Sequence, residues 1–311
     1  MEQIKILGVG EVVVDWVTEV PHFPKPDEKI NAVSESRFAG GVTANYLVAV
    51  SRLNVPCGFI GAVGDDDYGD FLLENFKQEK VDTRMTKIKK NRKTPVNFIF
   101  IAKGEKTIIQ SPHMLKTKLS VQDLNVDFIS KVKLIHTTLI HPQISKQVID
   151  IAKENDIPVS IDLEAQIANR GWNILKEQLL KADILIPNKA GAKIITKKDN
   201  IKNAAKKLID LGIPKVIITR GDKGALITSE NQQTEIPAYD VDKVVDTTGA
   251  GDTFNGAFSV AYWIKNWDLE KACKYGNAAA ALKIQKLGAR TGMPQEKELL
   301  DFLRKNEESF F

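Results

Sequence analysis

The stretch Asp246-Thr247-Thr248-Gly249-Ala250-Gly251-Asp252-Thr253-Phe254 carries the most chemistry in the chain. Beyond it, Phe254, Ala257, Phe258, Ala261 and Ile264 recur at helical spacing, so Gly249-Ala250-Gly251 is expected to be a turn feeding a helix N-terminus. Small residues leave the backbone amides bare, and the helix dipole adds positive potential. Together they favour an anion such as a phosphoryl oxygen. Asp252, in the first turn, then stands where it can take the proton of an attacking hydroxyl, while the amides of Gly249, Ala250 and Gly251 stabilise the charge on a transferred group. Taken alone, the same residues also fit an ordinary N-cap after a glycine turn.

A second turn of small residues, Gly40-Gly41-Val42-Thr43-Ala44-Asn45, opens another helical pattern far upstream. In this order the two motifs resemble the signatures of the ribokinase/PfkB carbohydrate kinases, and the resemblance extends over essentially the whole chain. It implies a ribokinase-like α/β fold and transfer of the γ-phosphoryl group of ATP, with Mg2+, to a hydroxyl of a small sugar or sugar derivative. Asp252 would be the base. Gly40, Gly41 and Asn45 are similar to the family residues that approach the sugar, and Asp15 resembles its substrate-binding acid, whose carboxylate holds two sugar hydroxyls. Asn188 resembles the Asn near the ATP phosphates and their magnesium. Thr219 and Gly221 resemble the strand-end turn over the nucleotide, with Arg220 and Lys223 beside them read as solvated. Asn277, read as opening an Ala-rich helix, resembles the residue beside the adenine. Asp246 and Thr248, with carbonyls near Gly288-Ala289-Arg290, match the region where some relatives bind a monovalent cation, so K+ is a further expected ligand.

The chain departs from the family in two places. Gly191 stands where the family's usual Glu follows Asn188 by three residues, which puts the positioning of magnesium in question and leaves Glu164 as a conceivable substitute. Around Leu139-Ile140-His141-Pro142 the acid that ribokinases place on ribose is missing. Asp162 with Arg170 and Trp172 loosely resembles a pattern of other sugar- and keto-acid-kinase branches.

Periodicity supplies the elements that must position these groups. Residues 4–10, 12–17 and 57–62 read as strands, an alternating segment runs around 29–38, and 42–53 and 68–77 read as helices. Residues 94–101 and 106–110 read as a hairpin turning at Gly104-Glu105. A two-stranded unit is marginal by itself, so segments 12–38 and 94–110 are expected to form a small β-sheet lid on a single domain spanning 1–311. From 132 onward, strands at 132–137, 157–162, 183–186 and 215–219 alternate with helices at 143–155, 171–181 and 199–211. That rhythm implies a central, mostly parallel sheet covered by helices, with ligands at the carboxyl ends of its strands.

Bulk composition narrows the class further. The 44 Lys and Arg are interleaved with 40 Asp and Glu, so nothing supports a nucleic-acid partner. Only Cys57 and Cys273 are present, which suggests neither a disulfide scaffold nor a zinc site and favours the cytosol. The opening around Glu2 and Lys5 does not read as a signal peptide, and no segment is apolar enough for a membrane span. A GxxxxGK[ST] loop, a third glycine after Gly8-Val9-Gly10 and an HExxH motif are all missing, which disfavours a P-loop kinase, a Rossmann dehydrogenase and a zinc hydrolase. The alternatives that stay open are a nucleoside kinase and a non-catalytic sugar or nucleotide sensor. The edge and outer face of the lid are expected to form a homodimer contact.

Overall fold

The computed structural model describes residues 3–307 and Phe310; Glu2 lies outside the described residues. In chain order the strands are β1 (Ile6–Val9), β2 (Val13–Glu19), β3 (Ser34–Gly40), β4 (Cys57–Gly64), β5 (Thr86–Lys89), β6 (Val96–Ala102), β7 (Glu105–Gln110), β8 (Leu134–Thr137), β9 (Val159–Leu163), β10 (Ile184–Pro187), β11 (Lys215–Thr219), β12 (Ala225–Ser229) and β13 (Gln233–Ile236). Nine of them form the main sheet in the order β13-β12-β11-β10-β9-β8-β1-β4-β5. The run from β11 to β5 is parallel, and β12 and β13 add an antiparallel edge.

The parallel strands are buried on both faces, which is why they read as continuous apolar runs. Successive residues part to opposite sides. Ile6 and Phe59 join one core with Tyr46, Phe254, Phe258 and Tyr275, while Leu7 and Ile60 join the other with Ile135, Val148, Leu185 and Leu208. The first core holds helices Val42–Arg52, Ala250–Ser259 and Leu269–Lys283; the second holds Pro142–Glu154, Trp172–Leu179 and Ile201–Asp210. Gly256 lets two helices of the first layer cross closely, since a Cβ there would lie 2.7 Å from that of Ala49 and 2.9 Å from the carbonyl of Tyr46. That crossing brings the chain's two glycine motifs together.

The remaining strands form a separate sheet, β3-β2-β6-β7. It is continuous with the main sheet through Gly10-Glu11-Val12, which join β1 to β2. Register assigns its faces. Asp15 pairs with Phe38 and Asn97, and Asn97 with Gln110, so these share one face; Trp16 with Arg37 and Phe98, and Phe98 with Ile109, share the other.

Several elements differ from the sequence expectations. β3 begins at Ser34 and runs to Gly40, because residues 29–33 make no ladder. The hairpin turns at Lys103-Gly104, both with positive φ (51° and 82°), the backbone twist that suits a two-residue loop. Asn277 does not open a helix; it lies well inside Leu269–Lys283, whose N-cap is Asp268. Cys57 and Cys273 are both free and buried. No helix among the described residues is long and apolar enough to cross a membrane.

Candidate active site

The two glycine motifs meet at the carboxyl end of the main sheet. Gly249 caps helix Ala250–Ser259 with φ 78°, a left-handed conformation that glycine adopts without strain. The amide of Ala250 turns back to the carbonyl of Thr247 at 3.2 Å. Helix geometry then leaves the next amides, those of Gly251 and Asp252, as the donors facing outward. Outside its chain neighbours and its own helix backbone, a Cβ at Gly251 would meet no atom within 4 Å, so packing does not demand glycine there. The empty space is what an anion seated on the helix end requires.

Asp252 is held from the other motif. The Asn45 amide nitrogen donates to its Oδ2 at 2.8 Å, and the Asn45 carbonyl oxygen accepts from Nε of Arg290 at 2.8 Å. Arg290 is itself fastened by donation to the Gly40 carbonyl (3.0 Å) and to Asn75. Both ends of the Asn45 amide are therefore occupied. One helical turn beyond Asp252, Asn255 donates to Asp162 Oδ2 at 2.9 Å, which ties the same helix to the end of β9.

Four carboxylates share this cleft with little to neutralise them. Burial, then the charges of Glu164 and Glu11, push Asp252 up to about 8, against the opposing pull of Asn45 and Arg290. Burial and the neighbouring acids also raise Asp162 well above the usual carboxylate range, and burial with Glu11 carries Glu164 to about 7. Burial raises Glu11 although it accepts from Thr138 (3.0 Å), Val42 N–H (3.3 Å) and Thr43 (3.4 Å). Desolvation outweighs hydrogen bonding at each of them.

Asp15 lies at the small-sheet side of the cleft, buried, and accepts from the Asn97 amide at 2.9 Å. Gly40 is what admits it: a Cβ there would stand 2.1 Å from Asp15 Oδ2. Gly41 has φ 97°, and a Cβ on it would meet the Glu11 carbonyl at 2.8 Å. Lys106, on β7, reaches from the small sheet to Thr248 Oγ1 at 3.2 Å and so touches the glycine loop directly.

Asn188 and Thr219 neighbour each other as a bridge at the ends of β10 and β11. Asn188 caps helix Lys189–Thr196, accepting from the Gly191 amide at 2.7 Å. A Cβ at Gly191 would stand 2.2 Å from the Leu163 carbonyl and 3.3 Å from the carbonyl carbon of Glu164. No side chain fits there. Gly221 (φ 64°) has open space where a Cβ would be, in a turn closed by Arg220 N–H to the Gly224 carbonyl at 2.7 Å. The side chain of Arg220 is not simply solvated, since it donates to Glu235 (2.9 Å) and to the Lys223 carbonyl (2.8 Å). The Asn277 amide donates to the carbonyls of Pro237 (2.7 Å) and Ile236 (3.3 Å), so it fastens the segment after β13 to its helix. Asp246 accepts from Thr248 N–H (2.9 Å) and Gly288 N–H (2.8 Å), and its own carbonyl accepts from Lys283.

Arg170 donates to the carbonyls of Leu139 (2.8 Å) and Ile140 (3.1 Å). Leu139 has φ 59°, a strained conformation for a leucine, and the guanidinium fork braces it there. Among the described residues no three His, Cys, Asp or Glu side chains converge as a ready-made metal site. A divalent ion here would take most of its ligands from phosphate oxygens and water.

Sequence reasoning did not find Glu11, Asn97, Lys106, Asn255 or Lys283, and it named Arg290 only for the carbonyls of its turn, not for its side chain. For Lys283 a signal existed: helical spacing sets it on one face with Gly276 and Ala279, an apolar stripe in which a lysine is out of place.

Known proteins resemble this chain over nearly its whole length. The model of the pfkB family carbohydrate kinases matches residues 3–296. The ribokinase of Haemophilus influenzae is 32% identical over 95% of this chain and 97% of its own length. Among solved structures, the ribokinase of Thermotoga maritima superposes with a TM-score of 0.82 at 30% identity, covering 97% of this chain and 99% of that one. A candidate ribokinase II from E. coli, in complex with ATP and magnesium, gives 0.83 at 25% identity over 97% and 99%.

Proposed function

The chain belongs to the pfkB family of carbohydrate kinases, and on that premise we propose that it transfers the γ-phosphoryl group of ATP to a hydroxyl of a small sugar or sugar derivative, with Asp252 as general base. It is an ATP-dependent sugar phosphotransferase. The observation that carries the residue assignment is the pairing of a base fixed by Asn45 with a bare helix end whose Gly251 leaves room for a phosphoryl group.

Asp15, supported by Asn97, binds sugar hydroxyls and sets the acceptor against Asp252. The Asp252 carboxylate takes the hydroxyl proton as oxygen attacks phosphorus in line, and the amides of Gly251 and Asp252 receive the negative charge that gathers on the transferred group. Asn188, Thr219 and Gly221 form the nucleotide side of the cleft, with Asn277 holding its wall. Magnesium, when bound, neutralises phosphate charge. The uncompensated carboxylates of Asp162 and Glu164 suit it, and Glu164 stands in for the side chain that Gly191 cannot carry. The small sheet acts as a lid that excludes water, with Lys106 as its contact to the glycine loop.

The outer face of that lid suits a homodimer contact, because Phe98 (42% exposed) and Ile109 (56%) lie on it beside Trp16. Light scattering would read two chains per particle, and Ile109→Asp one.

The decisive experiment is ATP consumption by the purified protein with magnesium across pentoses, deoxypentoses, hexoses, keto-deoxy acids and nucleosides. One preferred sugar, with turnover reduced about a hundredfold or more by Asp252→Asn, establishes the reading. Preference for a nucleoside, or equal turnover in the variant, overturns it.

A further inference from the structure

Lys283, the last residue of helix Leu269–Lys283, is fully withdrawn from solvent and is the one buried lysine among the described residues. Its Nζ donates to the main-chain oxygen of Asp246 at 2.6 Å. The loop is tied down around that contact. The amides of Val245 and Asp246 both donate to the Ile284 carbonyl, at 2.8 and 3.1 Å, and the Asp246 carboxylate collects the amides of Thr248 and Gly288. The Ala289 carbonyl closes the far side, 2.5 Å from where a Cβ on Gly249 would be.

An ammonium group buried this deeply persists only where its charge is compensated. Burial pulls Lys283 below its usual range, and the carboxylates of Asp246 and Asp252 oppose that pull, with Lys106 the other cation acting on it. A monovalent cation at Asp246 and Thr248, which the family resemblance implies, does not fit beside this group. It would compete for the Asp246 carbonyl and face a fixed positive charge at short range.

We propose that Lys283 is a built-in cation: its ammonium takes the place of a bound potassium ion in ordering the loop 246–252, so that this kinase needs no monovalent cation. The inference rests on the kinase reading of that loop. Lys283 touches no reacting atom and acts by positioning. It holds the Asp246 carbonyl, hence the turn from which Gly251 and Asp252 present their amides.

The test measures initial rates at saturating ATP, magnesium and sugar in potassium, ammonium, sodium and tetramethylammonium chloride at constant ionic strength, with melting temperatures in the same salts. Wild-type turnover and melting temperature are expected to be the same in all four. Lys283→Ala removes the charge and leaves a space an ion can enter. Its turnover should fall about tenfold or more in tetramethylammonium and recover several-fold in potassium or ammonium, and its melting temperature should rise with those ions as for any ligand that binds only the folded state. Lys283→Met fills the space without the charge and should be slow in every salt. A wild-type rate that depends on potassium overturns the proposal, as does a Lys283→Ala protein indifferent to the salt. If Lys283→Ala does not fold, the wild-type salt series and Lys283→Met still decide. Failure of the kinase reading looks different: no acceptor is phosphorylated in any salt, and the melting series then tests the built-in cation by itself.

Discussion

The Asn45 amide donates to Asp252 across 207 residues of sequence, and its other end accepts from Arg290. An asparagine used at both ends cannot flip, so the Asp252 carboxylate is held in one orientation. Asn45→Ala is expected to lower kcat by roughly tenfold to a hundredfold through lost positioning. Because Asn45 is one of the groups holding Asp252 down, the acid limb of the rate profile should also move to higher pH. A lowered kcat with an unmoved limb would mean that the contact is only structural.

Asp252 should leave its mark on both rate and stability. With the site empty its carboxyl is raised to about 8, so kcat/KM for the nucleotide, which reports the free enzyme, is expected to rise with pH until about 8. Stability follows the opposite sign. The folded protein holds this proton more tightly than the unfolded chain, whose aspartates titrate near about 3.9, so the contribution to stability is present at low pH and is lost between about 4 and 8. Asp252→Asn removes that loss, since its Oδ1 can still accept from Asn45. Its melting temperature should exceed the wild type by a few degrees more at pH 9 than at pH 6; a constant difference would contradict the raised pKa.

How much of this was legible beforehand depended on the range of the interactions. The parallel core strands were readable because burial on both faces makes them unbroken apolar runs, as in Ile184–Pro187 and Lys215–Thr219. β5 (Thr-Lys-Ile-Lys) and the antiparallel pair β12–β13 escaped, because short edge strands owe their form to a neighbour rather than to their own pattern. Helix Lys189–Thr196 escaped for its brevity. The glycine motifs were visible as helix-opening turns, since backbone geometry is local. Arg290, Asn255 and Asn97 were ordinary polar residues until folding set them against Asn45, Asp162 and Asp15.

Gly40→Ala should separate sugar binding from nucleotide binding. Its new methyl group would meet the far end of the Asp15 side chain at 2.1 Å. A carboxylate can swing away, so the fold survives while the sugar loses a charge-assisted hydrogen bond, worth about 1.5–3 kcal/mol. KM for the sugar is expected to rise about tenfold or more, with KM for ATP unchanged. Equal effects on both would place Asp15 outside the sugar site.

Gly191 and Glu164 divide one role between them. At Gly191 the obstacle is the Leu163 carbonyl, 2.2 Å from a new Cβ, and main chain at a strand end cannot yield as a side chain can. Restoring the family's residue with Gly191→Glu should therefore fail to improve catalysis and should destabilise the fold by about 2 kcal/mol or more, as Gly191→Ala should too. The approach of residues 163–164 that closes this position is also what delivers Glu164 to the cleft, where burial and the charge of Glu11 raise it to about 7. Glu164→Gln is expected to fold normally and to raise the magnesium concentration for half-maximal rate about tenfold, with a matching loss of Mn2+ affinity in the presence of ATP by electron paramagnetic resonance. A Gly191→Glu protein of wild-type stability and lower magnesium requirement would refute the exchange of roles. So would a Glu164→Gln protein whose metal dependence is unchanged.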